Sequence, residues 1–311
     1  MPEGIFRIIF IMKNIRKTVS VFLATALMMP LVSCAADAQE PVTKEDDGIF
    51  NIVTSFYPMQ IIAMNVAGDI DGVTVECMSD PNLGCIHDHV FSTEDLRLIE
   101  NADVYIENGL ELETFNDQIL SAYPDLPIIE AAANVTDAPE DEGEINGHVW
   151  TNLDDYILEI REVSDRLCEL DPGHADQYSQ NADEYIGRIE QLKTDYADLI
   201  ASVEGMTVLV VDETLPSFCD FLGIDYEIIE TDHEQSALSA GDIADTVDWM
   251  NENNVTVIFI SADTDSGIAD AIAGEIGGQE MVFNTCMTGS VDADAYISQM
   301  QMNLELLEFL G

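Results

Sequence analysis

From Phe50 onward the chain alternates short β-branched apolar runs with helical ones. This alternation limits the possible folds more than any other feature. FNIVTSF, DGVTVECM, ADVYIENG and LPIIEAA read as strands, and PMQIIAMNVAGD, STEDLRLIENA and LETFNDQILSAY as the helices between them. In the second helix Ser92 stands in the capping place and Asp95 three residues on, the pattern of a capping box. Strands regularly separated by helices predict an α/β lobe with a mainly parallel sheet. The pattern returns later in the chain. MTVLVV, IDYEIIE, VTVIFIS and QEMVFN read as strands, and FCDFLG, SAGDIADTVDWMNENN, DSGIADAIAGEIG and ADAYISQMQMNLELLEFLG as helices.

Between the two blocks lies the longest periodic stretch. Ala175, Tyr178, Ala182, Tyr185, Ile189, Leu192, Tyr196 and Leu199 are spaced 3-4-3-4-3-4-3, one apolar stripe on a helix. Asp171-Pro172 supplies a cap and a first-turn proline, and Gly205 a stop. The spacing predicts one rigid helix over residues 171–204, of roughly 45 Å at about 1.5 Å per residue, long enough to join two lobes. The N-terminal lobe is then 49–170 and the C-terminal lobe 205–311. Residues 137–147, DAPEDEGEING, break the first lobe with a loop in which five residues are acidic.

The segment before Phe50 is of another kind. Lys13, Arg16 and Lys17 precede an apolar run from Thr18 to Val32 that is short for a membrane span, and Leu31-Val32-Ser33-Cys34 follows. Residues 1–33 read as a lipoprotein-type signal peptide with its start at Met12, Cys34 as the lipidated residue, and 34–48 as a flexible tether. The expected location is extracytoplasmic, on the cell membrane of a bacterium.

The formal charge is −51. Residues 1–33 carry one acid, Glu3, and four bases, so 60 acidic and 6 basic residues remain beyond them, a charge of −54. Such a surface repels phosphates and excludes nucleic acid as a partner, while raising the local concentration of cations. Beyond Cys34, the cysteines are Cys77, Cys85, Cys168, Cys219 and Cys286, with no Cys-x-x-Cys pair. Cys77 and Cys85 are near enough in sequence to bridge. Cys85 and Cys286 read as small buried apolar residues.

No nucleophile elbow, phosphate-binding loop, HExxH helix or dinucleotide turn is present. The chemistry available is a scatter of metal-competent side chains where strands give way to helices, the edge at which open α/β sheets bind ligands. His87 follows the second strand and His148 the acidic loop. Asp212 and Glu213 follow MTVLVV, and Asp232, His233 and Glu234 follow IDYEIIE. Imidazole with carboxylate suits zinc or manganese. His89 reads as a solvated neighbour of His87, and His174 as inert.

At these residues the chain resembles the zinc/manganese substrate-binding lipoproteins of bacterial ABC importers, which include adhesin-type lipoproteins. IVTSFYPMQIIAMNVAGD resembles the opening strand and helix of that family, and GCIHDHVFSTEDLRLIENADVYIENG its first ligand segment. GHVWTN is similar to the second ligand segment, and SAGDIADTVDWMNENNVTVIFI and DAYISQMQMNLELLEFL to the C-terminal lobe. The resemblance implies that His87 and His148 are ligands, with His89 in a place the family gives to an aromatic residue. The third ligand, commonly histidine and in manganese-type members a carboxylate, falls at Asp212, with Glu213 beside it. The fourth, commonly a carboxylate, falls at Asn284. His233 or a nearby acid is a substitute donor. The acidic loop sits where zinc-type members carry a His-rich insertion.

The resulting expectation is two α/β lobes joined by a long rigid helix, with a metal site in the cleft between them. The protein captures zinc or manganese as cargo and hands it to an ABC-type permease, as a monomer and without catalysis. The departures at Asp212 and Asn284 motivate an alternative, a surface adhesin or structural lipoprotein with a degenerate metal site. A metallohydrolase is a third reading, which needs an open coordination position and a general base.

Overall fold

Each of the two α/β blocks folds around its own sheet of four parallel strands. The computed structural model describes residues 48–310, except 69, 142–143, 230–239 and 264–265. Cys34, the signal segment and His233 lie outside the described residues.

The first lobe runs β1 (Phe50–Thr54), α1 (Tyr57–Ala67), β2 (Val73–Cys77), α2 (Thr93–Glu100), β3 (Val104–Glu107), α3 (Asn116–Ala122) and β4 (Ile128–Glu130). Its strand order is β2-β1-β3-β4. Ile52, Val53 and Thr54 of the central strand are buried, as expected for a parallel sheet covered on both faces. The acidic loop holds a small antiparallel pair, β5 (Glu140–Asp141) with β6 (Glu144–Ile145).

The link between lobes departs from the expected single helix. α4 (Leu153–Leu170) comes first, then α5 (Ala175–Asp195) and α6 (Ala197–Val203). α4 is not among the expected helices, although Leu153, Tyr156, Ile160, Val163 and Leu167 repeat the 3-4 spacing and are buried. Asn152 caps it, accepting from the backbone N–H groups of Asp154 and Asp155. Asp171 does not cap α5. It ends α4, and its Oδ2 accepts from His174 Nδ1 at 2.6 Å and Tyr178 Oη at 2.9 Å, which ties the two helices together. The 21-residue α5 buries Tyr178, Ala182, Tyr185, Ile189 and Leu192, as the stripe requires. It stops at Tyr196, whose ψ of 10° interrupts the helix before α6.

The second lobe repeats the topology of the first. β7 (Thr207–Val210), α7 (Pro216–Leu222), β8 (Asp225–Ile228), α8 (Ala240–Asn253), β9 (Val257–Ser261), α9 (Gly267–Ile276), β10 (Gln279–Phe283) and α10 (Ala295–Leu306) give the order β10-β9-β7-β8, all parallel. Side chains alternate across this sheet. Val208, Val210, Phe259 and Phe283 face one buried cluster, and Leu209, Val211, Ile258 and Ile260 the other.

The first of those clusters spans both lobes. It runs from Ile52 and Phe56 through Trp150 and Tyr156 to Phe259 and Phe283. Trp150, fully buried, joins the lobes by hydrogen bonds as well. Its Nε1 donates to the Thr285 carbonyl at 2.8 Å, and its own carbonyl accepts from Tyr296 Oη at 2.7 Å. Continuous packing of this kind resists shear, so large opening of the lobes would expose apolar core.

Candidate metal centre

In each lobe the strands run parallel, so their carboxyl ends share one edge. His87 follows β2, His148 follows the β5–β6 pair, and Glu213 follows β7. The structure brings these three together and adds Cys85. The donor atoms of Cys85, His87, His148 and Glu213 all lie within 4.8 Å of one another. Cys85 Sγ is 3.2 Å from His87 Nδ1 and 3.5 Å from His148 Nε2. Glu213 Oε1 is 3.8 Å from His87 Nδ1 and 3.7 Å from His148 Nε2. Among the described residues, His, Cys, Asp and Glu side chains form one group of this kind.

The group has a floor and a mouth. Cys85 and His148 are buried, at 7% and 2% exposure, whereas the side chains of His87 and Glu213 retain 34% and 30%. A cation can reach the site from solvent and still lose most of its hydration at the floor.

Electrostatics within the group favour separated charges even without a cation. Burial pushes the Cys85 thiol up, but hydrogen bonds from His148 and His87, and the charge of those rings, outweigh it and bring the thiol down to about 6. His87 is pushed up to about 10, by Cys85 first and Glu213 next, against the opposing effect of burial.

Local structure explains how each donor is aimed. Cys85 precedes a single 3₁₀ turn, Ile86–Asp88, with Ile86 buried as its anchor. His89 follows, and it is not solvated as expected. Its Nε2 lies 3.2 Å from Asp95 Oδ2, and its ring packs edge-on against Phe115 at 5.3 Å. Asp95 also accepts from the Ser92 backbone N–H at 2.6 Å, completing the capping box of α2. The second histidine of the His-Asp-His stretch therefore ties the loop to the helix.

His148 is oriented by Asn146, a residue the sequence reading does not single out. Asn146 Oδ1 accepts from both the backbone N–H and Nδ1 of His148, at 2.9 and 2.8 Å. The bond to Asn146 occupies Nδ1, so Nε2 is the ring nitrogen that faces the site. Asn146 Nδ2 donates to the Glu213 carbonyl at 2.6 Å, so one side chain fixes donors from both lobes. The signal was local: an asparagine two residues before a histidine readily bonds back to that residue's N–H.

Asp212 stays outside the group. Asp212 Oδ1 accepts from the backbone N–H of Thr214 at 2.8 Å and from its hydroxyl. This carboxylate shapes the turn that presents Glu213. Asn284 is paired with Asn303 of α10, its backbone N–H donating to Asn303 Oδ1 at 2.8 Å and its carbonyl accepting from Nδ2 at 2.8 Å. Cys77 and Cys85 are both free thiols, and Cys286 is buried as expected.

The same fold is found in the SBP FpvC from Pseudomonas aeruginosa, solved in complex with Mn2+, at a TM-score of 0.75 and 22% identity over 85% of this chain and 100% of that one. Among relatives, the iron-binding protein YfeA of Yersinia pestis is 26% identical, over 83% of this chain and 85% of its own. The manganese-binding lipoprotein MntA of Halalkalibacterium halodurans is 23% identical, over 90% and 94%. Residues 52–308, which hold both lobes and all four converging side chains, match a single family throughout, and the chain belongs to it: ZnuA, the zinc-uptake complex component A, periplasmic.

Proposed function

We propose that this protein captures a divalent transition metal, zinc or manganese, outside the cytoplasm and delivers it to an ABC-type permease. The observation that carries the reading is the convergence of donor atoms from two lobes within 4.8 Å. His87, His148 and Glu213 are the ligands this reading requires. Buried His148 strips water from the ion, and the more accessible His87 and Glu213 admit and release it. The family and the metals in its relatives' names support the same cargo class. The strongly acidic surface supports cation supply.

In this reading the binding step is assembly, with no bond in a substrate made or broken. Metal displaces the proton on His87, and Glu213 balances part of the cation's charge. The core shared by both lobes limits the response to small loop and lobe shifts. A degenerate site, the alternative raised by Asp212 and Asn284, is disfavoured by the donors that do converge. Cys34 is the proposed lipid anchor, and the protein acts as a monomer.

Calorimetric titration of metal-free protein with zinc and manganese tests the reading. One-to-one binding tighter than about micromolar, near −8 kcal/mol, and abolished in His87→Ala and His148→Ala, is expected. Binding indifferent to both histidines would reject the site.

A further inference from the structure

We propose, resting on the metal-binding reading above, that Cys85 is a thiolate ligand and that the site selects zinc over manganese. The first ground is position. Cys85 Sγ lies 3.2 and 3.5 Å from the two imidazole nitrogens, in a side chain that is 7% exposed. It forms no disulfide, and its polar contacts point into this group.

The second ground is size. A tetrahedral zinc with bonds of about 2.3 Å to sulfur and about 2.0–2.1 Å to nitrogen or oxygen sets donor–donor edges of roughly 3.3–3.6 Å. Four of the six donor–donor edges are 3.2, 3.5, 3.7 and 3.8 Å, and all six lie within 4.8 Å. These separations are close to those of a zinc tetrahedron, and modest movement of the half-buried Glu213 closes the longer two.

The third ground is donor chemistry. Asp212, which would have made the site oxygen-rich, lies outside the group and bonds Thr214. The remaining set is one sulfur, two nitrogens and one carboxylate. Thiolate and imidazole suit zinc, whereas manganese is held best by carboxylate, carbonyl and water oxygens in a larger, octahedral shell. A buried thiolate penalises manganese by its softness, and a set with one sulfur and two nitrogens is far from the oxygen-rich shell manganese prefers.

Cobalt is the probe, because a thiolate–cobalt bond gives a near-ultraviolet charge-transfer band that imidazole and carboxylate do not. Metal-free wild-type protein is titrated with Co2+, and then competed with Zn2+ and with Mn2+. The expected result is a charge-transfer band saturating at one cobalt, erased by zinc and not by equimolar manganese. Cys85→Ser should still bind cobalt but lose the band. In Cys85→Asp the zinc-to-manganese affinity ratio should fall about tenfold or more, as a soft donor is exchanged for a hard one. Circular dichroism confirms that each variant is folded, and the wild-type spectrum decides the question even if neither is. Cobalt binding that depends on His148 but shows no charge-transfer band, with zinc affinity unchanged in Cys85→Ser, overturns the thiolate assignment alone. No binding of any of the three metals to wild-type protein overturns the metal-binding reading together with this one.

Discussion

Replacing Asn146 by alanine should weaken metal binding without touching a ligand. The Asn146 side chain makes three hydrogen bonds, two to His148 and one to the Glu213 carbonyl. Partners that orient a ligating imidazole are worth about 10–100-fold in affinity, or about 1.4–2.7 kcal/mol. The same bonds support the fold. At about 0.5–1.5 kcal/mol each, and with Asn146 only half-buried, their loss should cost about 2 kcal/mol of stability. Asn146→Asp separates the two effects. It keeps an oxygen for His148 Nδ1 but loses the donor to Glu213. Affinity should stay near or above wild type, while stability falls by about one hydrogen bond, ~1 kcal/mol. Competition against a chromophoric chelator reads affinity, and urea denaturation of metal-free protein reads stability. If Asn146→Ala binds zinc as tightly as wild type, the orienting role is refuted. If Asn146→Asp loses as much affinity as Asn146→Ala, the bond to His148 is not what matters.

Glu213→Gln should lower zinc affinity strongly whereas Asp212→Asn should change it little, since Asp212 bonds Thr214; equal losses in titration would return Asp212 to the site. Zinc at about a thousand times its dissociation constant should stabilise wild-type protein by about 4 kcal/mol, seen as a raised melting temperature that is absent in His148→Ala. Trp150→Phe removes the donor to the buried Thr285 carbonyl, and should cost about 1–3 kcal/mol in denaturant titrations. Glu107 is pushed up to about 8, by burial first and then by Glu113 and Glu130, from an ordinary 4.5. The folded state thus holds a proton the unfolded chain releases, so this contribution to stability is full below about pH 4.5 and lost as pH rises toward 8. Urea midpoints at pH 5 and pH 8 should show a smaller fall in Glu107→Gln than in wild type, and an unchanged fall would exclude Glu107 as a source.

The sequence by itself determined the two α/β blocks, because strand and helix periodicities are local and each run carries its own apolar pattern. It also marked the stripe on α5, whose Tyr178, Tyr185 and Ile189 are buried as their spacing requires. His87 and His148 were legible as candidate donors because they stand where strands give way to helices. The tertiary structure decided the rest. Cys85 has the burial of an ordinary core cysteine, and only the approach of His148 from 63 residues away turns it into a candidate ligand. Choosing between Asp212 and Glu213 depends on which carboxylate bonds Thr214, a turn geometry that adjacent letters cannot show. His89 looked like a spare histidine until Asp95 and Phe115 closed on it. Secondary structure follows from near neighbours, but a metal site is a coincidence of distant ones. The physical agent of that coincidence here is the packing of two lobes on Trp150, which sets the distance between their loops.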